Sequence, residues 1–551
     1  MTSIPRGADL LARALRAAGV ERLYSLSGNQ IMPLYDACID AGLGIVHVRH
    51  EAAAAHMADA AGRLTGRPGI ALVTAGPGHA NTMGALYTAR MSESPMVLLS
   101  GHAQLARFGQ GAFQEMHQAA LAGHVTKAAW VADDPNRLGE DIARALAIAS
   151  SGRPGPVHLS LPQDVLEGVV DPAVEVRPGA RPSPAELAVE TAGAVVDHLL
   201  ASARPLLVTG PAGGRGALAA EIAGFADALG IPWLSMEAPR GLADPTLGAF
   251  PEVLARADTI VLLGKALDFA LRFGDAPAVD AAARVIHIDP DDEILARSQA
   301  ALEDVGRLLV RARADMMPAA RALTAAAAGR RHAATAWRDE VTAALAYRPA
   351  SWATTTSAPE GPVHALDVYR AVQAVIDAHD EVVLLVDGGE FGQWGLGSLK
   401  AKVRLGNGPA GTIGGMIPMA VAAKAEYPNA LVVAVMGDGT FGFQPAEFET
   451  AVRSRTPFLC IVGNDARWNA EYQIQLRDYG PNRVMGCELL PARYDQVVAG
   501  FGGHGELVTR PSELAGALER SLASGLPACV NVMIDPVPAP VIARTGNLDV
   551  H

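Results

Sequence analysis

Short, nearly unbroken apolar runs recur along the chain at 69–74, 205–210, 259–264, 285–289, 430–436 and 457–462, and each closes on a glycine or a polar residue. Runs of this kind suit strands buried on both faces, as in parallel sheets covered by helices. Ala-rich stretches of helical character lie between them. Strand and helix in alternation predict βαβ units and therefore parallel sheets. Pro-rich passages at 171–182 and 347–362 divide the pattern into three blocks. The expectation is an α/β protein of three successive parallel-sheet domains, at 1–170, 183–345 and 362–551, with the first and third as two versions of one design.

Composition agrees with a large folded protein of several domains. Half of the 551 residues are apolar, which is material for several buried sheets. No apolar stretch of about twenty residues is free of charges or turn residues, so no membrane span is expected. The start, MTSIPRGADLLARALRAAGVERL, reads as an amphipathic helix without a cleavable signal pattern, which points to the cytoplasm. Cys38, Cys460, Cys487 and Cys529 are scattered without paired spacing, so neither a zinc site nor a disulfide framework follows. A formal charge of −13 argues against a general nucleic-acid role.

Candidate chemistry begins at Gly437-Asp438-Gly439, directly after the run 430–436. The Asp438 carboxylate emerges there at a strand end, where open α/β sheets bind ligands. The run 457–462 ends in Gly463-Asn464-Asp465, twenty-seven positions after Asp438, and the segment between is helical in character. That is one βαβ unit, with the carboxyl ends of its two strands side by side. Magnesium takes hard oxygen ligands, usually one or two carboxylates with phosphates and water. Gly-Asp-Gly alone is a common tight turn; the two strand ends and their spacing together favour a metal-diphosphate anchor.

This stretch resembles the motif of the thiamine-diphosphate-dependent enzymes, which begins Gly-Asp-Gly and closes on a short polar pair. The resemblance implies a pyrimidine-binding first domain, a central domain and a diphosphate-binding third domain. It implies Asp438, Asp465 and the Arg467 backbone carbonyl as magnesium ligands, with Gly439, Thr440 and Trp468 beside the cofactor. The usual final ligand is Asn; Asp465 adds one negative charge. In the first block, Glu51 follows Val46-His47-Val48-Arg49-His50, where an apolar run ends and an Ala-rich helix begins. A helix start favours acids generically, but the resemblance makes Glu51 the carboxylate that activates the aminopyrimidine. Pro77 and Asn81, in Ala75-Gly76-Pro77-Gly78-His79-Ala80-Asn81, are implied cofactor contacts. So are Gly389, Glu390 and Phe391 at a glycine-rich strand end, the Gly411 carbonyl, and Ile413 between the cofactor rings. One cofactor touching both blocks implies a homodimer at least, with a homotetramer the usual form.

The reaction is read from shorter segments. Gly111-Ala112-Phe113-Gln114-Glu115-Met116-His117-Gln118 resembles a loop of the branch that contains acetolactate synthase, oxalyl-CoA decarboxylase, 2-hydroxyacyl-CoA lyase and benzaldehyde lyase. Leu267-Asp268-Phe269-Ala270-Leu271-Arg272-Phe273-Gly274 is similar to the acyl-CoA lyases and decarboxylases of that branch. The resemblance implies a lyase or carboligase acting on a small molecule, a 2-hydroxyacyl-CoA or related 2-hydroxy carbonyl compound. The alternatives are an acetolactate-synthase-type enzyme using pyruvate, benzaldehyde-lyase-like acyloin cleavage, and, less favoured, a non-catalytic nucleotide-binding regulator. Gln30, Phe113, Gln114, Trp468 and Glu471 are the implied substrate pocket, with Gln30 and Gln114 in catalytic roles and His50, His79 and His117 as lesser candidates for carrying protons. In the central block, Gly210-Pro211-Ala212-Gly213-Gly214-Arg215-Gly216 and Asp289 suit an ADP-bearing group, of coenzyme A, ADP or FAD, or a vestigial crevice. The tail after Pro536, ending in Thr545-Gly546-Asn547-Leu548-Asp549-Val550-His551, offers little material for a lid over an acyl-CoA.

Overall fold

The computed structural model describes residues 5–176, 182–333 and 335–544. Part of the Pro-rich linker, 177–181, and the tail end, 545–551, lie outside the described residues. Seventeen strands form three all-parallel sheets among the described residues. The first contains β1 (Arg22–Ser25), β2 (Gly44–His47), β3 (Gly69–Val73), β4 (Met96–His102), β5 (Ala128–Val131) and β6 (Pro156–Pro162). Its spatial order is β2-β1-β3-β4-β6-β5.

The second sheet holds β7 (Pro205–Thr209), β8 (Trp233–Ser235), β9 (Thr259–Leu263), β10 (Arg284–Asp289) and β11 (Leu308–Arg313), in the order β11-β10-β9-β7-β8. The sequence pattern shows three of these five strands. β8 is only three residues long, and β11 is largely half-exposed, so neither makes a buried apolar run. The third sheet holds β12 (Val382–Val386), β13 (Val403–Gly406), β14 (Leu431–Gly437), β15 (Leu459–Asn464), β16 (His504–Val508) and β17 (Ala528–Met533). Its order, β13-β12-β14-β15-β17-β16, repeats that of the first sheet strand for strand. Both sheets therefore reverse direction at the same place, between their first and third strands, and such a switch point opens a crevice at the carboxyl ends.

The described chain divides into two compact units. One comprises Met1–Pro182, Ser357–Gly392 and Leu399–Pro538, and so contains the first and third sheets; the other comprises Ser183–Thr356, Gln393–Ser398 and Ala539–His551, around the second sheet. In the first unit a single apolar cluster runs from β3 and β4 to β14 and β15. Its centre is the helix Glu51–Thr65, lying on the helix Met416–Glu426. Ala53, Ala54, Ala58, Ala420 and Ala423 are all buried there. Short side chains let the two helices approach closely, and close packing fixes their register. His50 caps the first helix by accepting from Ala52 N, and Gly66, at φ 69°, ends it.

Candidate active site

The crevice of the third sheet lies between the ends of β12 and β14. Asp387 follows β12, is buried, and accepts from Gly388 N at 2.7 Å, Asn407 Nδ2 at 2.8 Å and Gly414 N at 3.0 Å. Asn407 also donates to Thr412 O at 2.6 Å. This one carboxylate thereby ties the loop 407–414 to the strand end. The arrangement presents Ile413, whose Cγ2 would lie 2.6 Å from a side chain added at Gly388. Beside it the helix Gly389–Ser398 begins, with Gly389 at φ 82°. The N–H groups at a helix start favour an anion, and this first turn holds Gly389, Glu390 and Phe391. The Phe391 ring itself faces the core, stacked on Tyr369 and against Gly463, and its carbonyl accepts from the Tyr369 hydroxyl at 2.6 Å, which leaves its N–H for this role.

Asp438 and Asp465 stand at the ends of the adjacent strands β14 and β15, where Gly437 pairs with Gly463. Asp438 Oδ2 is buried with no hydrogen-bond partner. Burial pushes its pKa up to about 6, against backbone N–H groups that favour the carboxylate. Burial, and then the charge of Asp438, pushes Asp465 up to about 7. A buried acid with an orphan oxygen beside a half-buried one whose pKa its charge raises is a donor set suited to a divalent cation. Asn464 cannot take the place of Asp465. Its amide donates to Ala492 O and Asn531 Oδ1, and its carbonyl accepts from Ala466 N. Ala466 sits at φ 56°, a strained turn, and is held by Leu489 N donating to its carbonyl at 2.7 Å. The turn delivers Arg467 and then Trp468, whose ring covers Gly439 closely enough that a Cβ there would be 2.7 Å away. Thr440 is buried and donates to Gly437 O, while Glu471 is exposed on the following helix.

The first sheet has the matching crevice between the ends of β1 and β3. Gln30 is buried and accepts from Thr74 Oγ1 at 2.7 Å, which closes the crevice floor. Glu51 starts its helix beside this edge and accepts from Asn81 Nδ2 at 2.9 Å. A Cβ on Gly78 would lie 3.3 Å from Glu51 Oε1, so glycine keeps the carboxylate face open. Pro77 opens the short helix Pro77–Ala80 that carries Gly78 to this place. Gln114 occupies left-handed backbone at φ 58° and packs on Gly76, itself at φ 56°. Phe113 beside it is 70% exposed, a large apolar ring with no cover within the chain.

Three groups at these edges have no role assigned by the sequence motifs, although Gln118 closes one of them. Gln118 is fully buried, accepts from Gly76 N at 2.8 Å and donates to Gly101 O at 2.9 Å, fastening the Gly76 turn. Glu447 is buried and accepts from Arg49 N at 3.0 Å, which fixes the chain entering Glu51 from the third sheet's side. Phe443, half-exposed, packs on Gly414 and meets Trp468 edge-on. The three candidate proton carriers fare differently. His79 is buried against His158, and burial lowers its pKa to about 4, so it is neutral and unsuited to that role. His50 is the helix cap, and His117 lies edge-on to Phe108.

In the second sheet the switch point lies between β7 and β9. Gly210 leads into the turn Pro211–Gly214 and the helix Gly216–Leu229. The two cations near this edge are answered by acids: Arg215 by Glu237 at 2.7 Å and Lys265 by Asp268 at 2.6 Å. Asp289 is buried and accepts from Asp291 N. The segment 267–274 carries two successive non-glycine residues in left-handed backbone, Arg272 and Phe273.

Known proteins give the class to which these edges belong. Family models for thiamine pyrophosphate enzymes match the chain three times: the N-terminal TPP binding domain over residues 5–121, the central domain over 192–311 and the C-terminal TPP binding domain over 389–532. The chain belongs to this family. It is a thiamine-diphosphate-dependent enzyme of the lyase or carboligase type. It is 32% identical to the acetolactate synthase large subunit IlvG of Mycobacterium tuberculosis, with 96% of the chain and 95% of that protein covered. It is 28% identical to 2-hydroxyacyl-CoA lyase 2 of Homo sapiens, with 97% and 90% covered. To the acetolactate synthase of Bacillus subtilis the identity is 27%, with 96% and 93% covered.

Proposed function

We propose that this enzyme is a magnesium-dependent carbon–carbon lyase or carboligase acting on a 2-hydroxyacyl-CoA or a related 2-hydroxy carbonyl compound, in an assembly of at least two chains. The observation that carries the cofactor chemistry is the pairing of two strand-end features, Glu51 held by Asn81 and the carboxylates Asp438 and Asp465 with an unpartnered oxygen. Thiamine diphosphate, when bound, supplies a carbon nucleophile and an electron sink for making and breaking carbon–carbon bonds. Glu51 would hold the aminopyrimidine by a hydrogen bond, with Asn81 fixing its carboxylate. Asp438, Asp465 and the Arg467 carbonyl would hold magnesium, and the amides of 389–391 would receive the diphosphate. Ile413, braced on Gly388, and the Gly411 carbonyl would complete the cofactor's cradle. Gln30 and Gln114 orient a substrate hydroxyl or carbonyl; an amide is no base, so they position rather than remove protons.

The substrate class is supported by the segments 111–118 and 267–274 and by the likeness to 2-hydroxyacyl-CoA lyase 2. A coenzyme A substrate would place its ADP part in the crevice between β7 and β9. The likeness to acetolactate synthases favours a second reading, decarboxylation of pyruvate followed by carboligation. The deciding experiment gives the purified protein thiamine diphosphate and magnesium, then 2-hydroxyacyl-CoAs, benzoin, oxalyl-CoA and pyruvate. Cleavage of a 2-hydroxyacyl-CoA or of benzoin supports the lyase reading. Turnover of pyruvate alone, with FAD in the purified protein, establishes the second.

A further inference from the structure

β17 reads Ala528-Cys529-Val530-Asn531-Val532-Met533, and the Asn531 amide lies fully buried among these apolar residues, inside a parallel sheet. An amide taken out of water is costly unless its polar atoms find partners. Asn531 lies opposite Val462 of β15, so it shares a face of the sheet with Asn464, two residues further along that strand. Asn464 is also fully buried, and it directly precedes Asp465.

The two amides and Asp495 form a directed chain. Asn531 Nδ2 donates to Asp495 Oδ1 at 3.3 Å and to Ala492 O at 3.0 Å, which turns its oxygen to Asn464. Asn464 Nδ2 donates to that oxygen at 3.1 Å and to Ala492 O at 3.0 Å, which leaves the Asn464 oxygen for Ala466 N at 3.2 Å. Arg493 fixes the outer end by pairing with Asp495 at 2.6 Å. Every N–H of both amides is used in this one orientation. Turning Asn464 over would set its oxygen against the Asn531 oxygen and the Ala492 carbonyl, and would release Ala466. The chain thus ends on Ala466, at φ 56°, where a residue with a side chain is disfavoured. Such backbone persists only where its surroundings enforce it. The residues on either side of it are Asp465 and Arg467.

We propose that Asn531, acting through Asn464, is a positioning residue for the magnesium site: it imposes the left-handed turn at Ala466 and thereby the joint placement of the Asp465 carboxylate and the Arg467 carbonyl. The inference rests on the magnesium reading of Asp438 and Asp465. The test measures magnesium binding to the full-length protein in saturating thiamine diphosphate by isothermal titration calorimetry. Asn531→Ala should weaken magnesium binding about tenfold, the scale of a buried hydrogen-bonding group that loses its partner. Asn531→Val, which suits a strand, should do the same and serves if the alanine variant is poorly folded. Glycine takes a positive φ without strain, so Ala466→Gly added to Asn531→Ala should bring the dissociation constant back to within about threefold of the wild type. A role confined to holding β17 in the fold would lower Tm and the number of sites per chain, but would not change the affinity of the folded protein or respond to Ala466→Gly. The half-saturating magnesium concentration for turnover should rise and recover in step with the dissociation constant. If the wild type binds no magnesium, the metal reading fails and the inference falls with it. If the wild type binds and the Asn531 variants bind equally well, or if their loss persists with Ala466→Gly, the positioning role is overturned while the metal site stands.

Discussion

Asn81 Nδ2 donates to Glu51 Oε2 at 2.9 Å, and this bond joins the turn after β3 to the start of the helix that follows β2. Glu51 is only half-buried, so without Asn81 its carboxylate is free to rotate toward water. Glu51→Gln should fold, bind thiamine diphosphate and magnesium, and lose about 10²–10⁴-fold in kcat, the range for a positioned proton-transfer group. Asn81→Ala should lose about tenfold, because the carboxylate remains but is no longer held. Steady-state rates with the cofactor saturating separate the two, and equal losses would contradict the positioning role of Asn81.

Gln118 reaches Gly76 from beneath the sheet, and Gly76 in turn carries Gln114 on its surface. Gln118→Met keeps the volume but leaves the Gly76 N–H and the Gly101 carbonyl without partners in a dry site. The expected cost is about 1–3 kcal/mol of stability for each buried group left unpaired. Activity should fall through kcat/KM for substrate, and cofactor affinity should weaken as well, since the Gly76 turn leads into Pro77 and Asn81. A urea titration and a substrate series measure the two effects.

The architecture was readable from the strands because β3, β7, β9, β14 and β15 are buried along most of their length and so spell continuous apolar runs. β8 and β11 lack that signature. For the site, strand ends mark Asp438 and Asp465, and the spacing between them is local enough to read. The groups that hold these edges in shape are not local. Asp387 and Asn407 lie twenty positions apart, and Gly76 and Gln118 forty-two apart, with no periodic pattern joining them. Phe443 belongs to the site through its contact with Gly414, which arises only once the helix Met416–Glu426 is docked.

Arg63 and Asp59 form an ion pair with both side chains fully buried, 2.6 Å apart, one turn apart on the Glu51 helix. Arg63 also donates to Gly406 O at 2.8 Å, at the end of β13 and next to Asn407. The pair thus pins the far end of the activating helix to the hub of the diphosphate edge. Arg63→Met should destabilise the protein by about 3–5 kcal/mol, the cost of leaving a buried carboxylate unpaired. The double change Asp59→Asn with Arg63→Met should recover part of that loss. A double-mutant cycle by chemical denaturation tests it, and additive losses would show that the two side chains act independently.

Asp465 adds a negative charge beside Asp438, and its consequence for stability follows from the direction of both shifts. Burial raises the folded-state pKa of Asp438 to about 6, and burial together with the charge of Asp438 raises that of Asp465 to about 7. The unfolded chain releases these protons near pH 4, so above that the folded state holds more protons than the unfolded one and stability falls as pH rises. The contribution is intact below about pH 4 and is lost once pH passes about 7. The metal-free protein should therefore lose stability between pH 5 and 8, relative to Asp465→Asn, which keeps an oxygen ligand without the charge. Magnesium and thiamine diphosphate should reverse the loss by answering both carboxylates, with a larger rise in Tm at pH 8 than at pH 6, by roughly 1–4 °C. Thermal melts of wild type and Asp465→Asn across this pH range, with and without cofactor, provide the measurement. Identical pH dependence in the two proteins would mean that Asp465 does not share the Asp438 site.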